Sequence, residues 1–148
     1  MKIIFKTTVG LLSSIPGVRW TDKDKKQIDI YDTKPAVPFP CNLIKVAILS
    51  ADTVTTEQQR CTGSIVVRTA SDLSVSETSD KAPDTAVERS LSYYDIVDAV
   101  YDKLQGFTDD QIESIDMKSC VEEERRDGLT VVKTTFEVVF MKYTQAAD

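Results

Sequence analysis

A chain of 148 residues, 41% hydrophobic and 28% charged, is the size of one domain and can bury roughly two thirds of its unfolded surface around one core. Its formal charge of −6 works against holding nucleic acid by neutralising phosphates, and the lack of any histidine removes the usual zinc ligand and the usual proton carrier near neutral pH. No apolar run approaches the ~20 residues of a bilayer span, and Lys6 with Thr7 and Thr8 breaks the apolar start before a signal-peptide core forms, so a soluble, unsecreted chain without membrane contact is expected.

From Lys2 to Ser14 the apolar residues Ile4, Phe5, Val9, Leu11 and Leu12 have the spacing of a short amphipathic helix. Ser14-Ile15-Pro16-Gly17 ends it, because the residue before a proline avoids the helical conformation. Val18-Arg19-Trp20 and Ile28-Asp29-Ile30-Tyr31 are two short β-like segments around a charged turn, Asp22 to Gln27, forming either a small hairpin or an irregular arm. Pro35, Pro38 and Pro40 then stiffen an extended connection. Cys41 to Leu49 and Gln58 to Ala70 read as apolar strands joined antiparallel through the polar turn Ser50 to Glu57.

Asp72 to Arg89 is polar, with Leu73, Val75 and Val87 as its larger apolar residues. A loop of that length inside a compact domain is unusual, and either is mobile or becomes ordered against something outside the monomer. Ser92, three residues before Asp95, is the expected cap of the main helix, with Tyr94, Val97, Tyr101 and Leu104 on one stripe and Gly106 as terminator. Thr108 to Gln111 is a second cap pattern that opens a further helical turn. A β-hairpin closes the chain. Ile115, Met117, Ser119 and Val121 share one face before a two-residue Asp127-Gly128 turn, and Val132, Thr134, Phe136, Val138 and Phe140 share one face after it. The predicted fold is α+β: a single domain over 1–148 with about four strands in a mostly antiparallel sheet, two helices packed on one face, and a small N-terminal β region.

Carboxylates are the only groups arranged in number, and none forms a site. Asp22, Asp24, Asp29 and Asp32 lack the Asp-x-Asp-x-Asp-Gly order of a calcium loop, while Asp109, Asp110 and Glu113 fit a helix N-terminus. Lys23-Asp24-Lys25-Lys26 is a solvated turn, and Tyr93, Tyr94 and Tyr101 belong to the helix core stripe. Glycines stand alone and form no phosphate loop, and the serines have no histidine to act as base. Cys41, Cys61 and Cys120 are scattered, which suits a reducing compartment. No catalytic, cofactor-binding or metal-binding residues are assigned, and the chain reads as a non-enzyme. Two candidate contact regions stand out. One is the polar segment with Asp72, Leu73, Val75, Glu77, Asp80, Lys81, Asp84, Val87 and Arg89 as a subunit-interface loop. The other is the hairpin end Glu122-Glu123-Glu124-Arg125-Arg126-Asp127, either solvated or a charge block that meets a partner's complement.

The order of elements resembles that of the tail-terminator, or tail-completion, proteins of long-tailed bacteriophages and prophages. The resemblance is carried by the helix ending in Ile15-Pro16-Gly17-Val18, the extended Val37-Pro38-Phe39-Pro40-Cys41-Asn42-Leu43-Ile44, the strand Ile65-Val66-Val67-Arg68, the helix reaching Leu104-Gln105-Gly106-Phe107 and the closing strand Thr134 to Val139. It implies a structural virion protein in the tail neck, made in the host cytoplasm. Subunits of that family form a ring, typically a hexamer, that caps the tail tube and meets the head–tail connector. It also implies that the loop over 72–89 orders against neighbouring subunits. DNA passes through such a ring, and an acidic lining repels phosphates without binding them. The extra β-like region Val18 to Tyr31 departs from the simplest version of the pattern. A head–tail connector or stopper, and a bacterial α+β module that binds a small ligand or peptide, are the other readings.

Overall fold

The computed structural model describes residues 1–73 and 75–144. At its centre lies β3 (Gln58–Ser71), which is hydrogen-bonded along its length to β2 (Cys41–Thr55) on one side and β5 (Thr130–Tyr143) on the other, both antiparallel. β4 (Ile112–Glu122) adds antiparallel to β5, and β1 (Trp20–Lys23) adds parallel to Cys41–Ile44, giving the order β1-β2-β3-β5-β4. The helices α1 (Lys2–Leu12) and α2 (Asp84–Leu104) share one face. The fold is α+β with a mostly antiparallel sheet, as the alternation of apolar residues implies.

Period-two alternation decides which side of each strand is dry. Ile65 and Val67 of β3 and Phe136, Val138 and Phe140 of β5 point to the helices, where Ile4 and Leu12 of α1 and Ile96, Val100 and Leu104 of α2 close over them. The other parity, Cys41, Leu43, Ala70 and Val131, forms a second buried cluster. Its cover is the proline-rich arm, which presses Ile28, Val37 and Phe39 onto the far side of the sheet. Each of these buried side chains contributes on the order of 1.5–3 kcal/mol, so the arm is part of the fold and not a loose linker.

Several local expectations are corrected. β1 pairs with β2 and not with Ile28–Tyr31, which is not a strand. Most of Ser50 to Glu57 is strand, and the turn is Thr56-Glu57 alone. α2 starts at Asp84 after Pro83, so Asp84, Val87 and Arg89 are helical and Ser92 and Asp95 are interior; proline suits a helix start because the missing N–H is one the helix leaves unpaired anyway. The loop therefore spans 72–83. Thr108–Gln111 forms no helical turn: Asp109 Oδ1 accepts from the amides of Gln111 and Ile112 at 2.8 and 2.7 Å, a side-chain turn that competes with helix. The final hairpin carries a loop over 123–129 in place of a two-residue turn, although Gly128 does take φ +81.

Irregular register in β4 also changes which residues are dry. Shifts between Ile112 and Ser114 and between Met117 and Ser119 place Ile112, Ile115, Cys120 and Glu122 opposite inward residues of β5, while Val121 is left 55% exposed. A strand with an extra residue reverses its faces beyond that point, so the single-face reading of Ile115, Met117, Ser119 and Val121 fails past Met117.

Candidate interaction surfaces

Arg68 leaves β3 on the side away from the helices, and all of its N–H donors find carboxylate oxygens. Nη1 and Nη2 reach Asp29 at 2.8 Å each, Nε and Nη2 reach Glu123 at 2.8 and 2.9 Å, and Nη1 reaches Asp24 at 3.3 Å. Arg125 interlocks with it. Its guanidinium donates to Asp29 at 2.9 Å, to Glu123 at 3.2 Å, to Asp127 at 3.1 and 2.6 Å, and to the carbonyl of Ile28. Tyr31 Oη closes the set by donating to Asp127 at 2.7 Å. The planar fork of arginine matches two carboxylates at once, so this cluster ties the arm to β3 and to the loop after β4.

The charges show the effect. Hydrogen bonding to Arg68, with Arg125 in support, holds the Asp29 carboxyl down to about 2 against burial that opposes it. Arg68 lowers Glu123 in the same way, and Arg125 holds Asp127 well below the usual carboxylate range. These acids are fixed anions and not proton carriers. Cys41 is equally inert, since burial pushes its thiol up to about 12. Among the described residues no group of three Asp, Glu or Cys is placed to hold a metal ion. No helix of the described residues is long and apolar enough to cross a membrane.

Within the charge block read from the sequence, Glu123, Arg125 and Asp127 are thus engaged inside the chain, and Glu124 and Arg126 are exposed. Glu122 faces α2, where the hydroxyls of Tyr93 and Tyr94 donate to its two oxygens at 2.8 Å each, fastening α2 to β4. Burial, with Tyr94 and Glu122 adding, raises the Tyr93 phenol well above its ordinary value.

The loop over 72–83 has few ties to the body. Leu73 and Val75 are 48% and 37% exposed. Glu77 meets Arg89 at 3.4 Å, and Asp80 meets its neighbour Lys81 at 3.1 Å. Asp84 and Arg89 are exposed on the first turns of α2, and Val87 is half-buried there.

The two long edges of the sheet are finished differently. At β4, Gly106 N donates to Ile115 O at 2.8 Å, Gln105 Oε1 accepts from Met117 N at 2.8 Å, and Gln105 Nε2 donates to Asp116 at 3.1 Å. Side chain and linker thus occupy the strand's outer bonding groups at Ile115 and Met117. β2 is covered by β1 only over Cys41–Ile44, and from Lys45 to Thr55 its outer edge has no backbone partner among the described residues. Leu49 and Val54 on this stretch are 68% and 54% exposed. Beside its start lies a notch of about 230 Å³ lined by Met1, Lys2, Phe5, Lys23, Ile44 and Val46. Sequence reasoning missed the arginine cluster, and it expected an exposed sheet edge without locating it on β2. Arg68 directly after Ile65-Val66-Val67 was a usable signal for the cluster, since a charge in an apolar strand needs partners.

Two helices on one face of a mixed five-stranded sheet, with an arm across part of the other face, define a two-layer α+β sandwich. The same fold occurs in a chain of the virion of a native gene transfer agent particle, with a TM-score of 0.52 and 10% identity over 94% of this chain and 95% of that one. No family model matches the sequence, and no curated protein matches it.

Proposed function

We propose that this chain is a structural virion protein of a tailed phage or phage-like particle, and within that class a tail terminator. The observation that carries the reading is the end-to-end likeness of fold to a virion chain, over 94% of this chain and 95% of that one. The chemistry is compatible with it: the acids of the arginine cluster are locked in ion pairs that serve the fold, and the buried Cys41 is protonated. On this reading copies assemble into a ring, with six the expected number. The segment of Asp72, Leu73, Val75, Glu77, Asp80 and Lys81, with Asp84, Val87 and Arg89 on the adjoining helix, lies between subunits. The exposed Glu124 and Arg126 at the hairpin end meet the tail tube or the head connector. DNA passes through the ring without specific binding.

Negative-stain imaging of the protein mixed with polymerised tail tube tests this. Rings seated on tube ends, with tubes that cease to lengthen, are the expected result. Rings that bind connector-bearing capsids and ignore tubes would move the assignment to a stopper. A chain that stays monomeric at every concentration and leaves tubes untouched would remove the virion reading.

A further inference from the structure

Strand edges in stable proteins are paired, covered or broken, because a straight row of free N–H and C=O groups recruits another chain. This molecule covers the β4 edge at Ile115 and Met117 with Gly106 and Gln105, and breaks the rest of β4 and the far part of β2 with register shifts at Met117/Ser119, Ile48/Ser50 and Thr53/Thr55. The stretch Lys45–Ile48 has neither protection, and it is the stretch beside the apolar notch of Met1, Phe5, Ile44 and Val46. A regular edge next to a side-chain pocket is the geometry of strand addition, in which backbone bonds supply affinity and the pocket supplies selectivity.

The occupant must be short, extended and apolar at alternate positions, and its charge must suit the site. Lys2 and Lys23 line the notch, a basic pair on a chain of net charge −6. A segment of the chain outside its own sheet fits this description. Leu73 and Val75 are exposed and two residues apart, so in an extended conformation they share a face. Asp72, Glu77 and Asp80 around them outweigh Lys81. Among the described residues, the hydrogen bonds of 72–83 go only to one another, to Ser71, to Arg89 and to the first turn of α2.

We propose that the Lys45–Ile48 edge of one copy receives the Leu73–Val75 segment of a second copy as an added strand, with an apolar side chain of that segment seated in the Met1–Phe5–Val46 notch. This rests on the assembly reading above and names the contact that closes it. The contact is heterologous, joining two different patches, and so propagates around a ring where a two-fold contact would stop at a dimer.

The test uses the full chain with Cys120→Ser. Lys45→Cys and Ser76→Cys, which share the face opposite the notch when Val75 faces it, are made in separate proteins, mixed at assembling concentration and treated with mild oxidant; in parallel, Leu73→Asp/Val75→Asp is followed by sedimentation and thermal unfolding. Both substituted positions are exposed, so an unchanged unfolding midpoint is expected. A disulfide between the two different chains, with association of the double variant weakened at least 10-fold, is the expected result. Wild-type rings with no mixed disulfide and undiminished association of the double variant would overturn this contact and leave the ring intact. A wild-type chain that never associates, alone or with tail tubes, would overturn both.

Discussion

Arg68 has only an 11% exposed side chain, yet it faces three carboxylates, and this sets how its removal is felt. In Arg68→Met the apolar stem is retained and the charge is lost, leaving Asp24, Asp29 and Glu123 grouped with Arg125 as the remaining cation. Stripping one partner from a half-buried network costs about 3 kcal/mol, the low end of the buried range because the carboxylates retain some water. A urea midpoint lowered accordingly is expected, and Arg68→Lys should recover little because a point charge cannot make two forked contacts. The pH dependence follows from the same residues. Asp29 has a folded pKa of about 2, below its ordinary 3.8, so its contribution is complete above the ordinary value and is lost as pH falls through that value towards about 2. Glu123 and Asp127 are lowered as well and act in the same direction. Urea midpoints measured from pH 6 to pH 2 should fall in the wild type and fall less in Arg68→Met, where the main cause of the depression is gone. Parallel curves would show that the cluster does not couple proton binding to folding.

Between β2 and β3 the close approach of two backbones fixes one residue type. A Cβ on Gly63 would run into the carbonyl of Ala47 and crowd Val138 Cγ1, at the place where the β2 register shifts from Ile48 to Ser50. Glycine in a strand interior is otherwise unfavourable, so its presence here reflects that approach. Gly63→Ala should lower stability by about 1–3 kcal/mol, through strain in the central strand, and loosen the β2–β3 tip; an unchanged midpoint would mean that the strands separate at no cost. The alternation around this glycine was legible: Ile65 and Val67 against Phe136 and Val138 gave the central strands, their dry face and the helices that cover it. What sequence reading missed is non-local or depends on one residue. An extra residue in β4 turned Glu122 towards Tyr93 and Tyr94, and Pro83 started α2 ahead of the more conventional Ser92 cap. Composition exposed the Leu73–Val75 segment. That the open edge lies on β2 was invisible, because whether a strand has a neighbour depends on strand order and not on its own residues.

Strand order also sets how protection is distributed over the whole molecule. β3 has neighbours on both sides from Gln58 to Ala70, and β5 has them from Val132 to Phe140, so amides there should open only in near-global unfolding. Beyond Ile44, β2 has one neighbour, and in an antiparallel pair alternate N–H groups point away from the partner. Those amides should exchange quickly in the monomer although the strand itself is intact. Assembly then makes an unequal change. If a second chain adds at Lys45–Ile48, outward amides in that stretch gain a partner, while the Met117 amide at the other edge, already donating to Gln105, gains none. With ~99% of chains assembled, exchange through the free form slows on the order of 100-fold, as mass action requires. Hydrogen exchange at two concentrations, or with and without tail tubes, should therefore show slowing concentrated at Lys45–Ile48 and in the segment around Leu73 and Val75. Uniform slowing over the sheet would indicate global stabilisation without a seated strand, and slowing confined to Ile115–Met117 would place the subunit contact at the opposite edge.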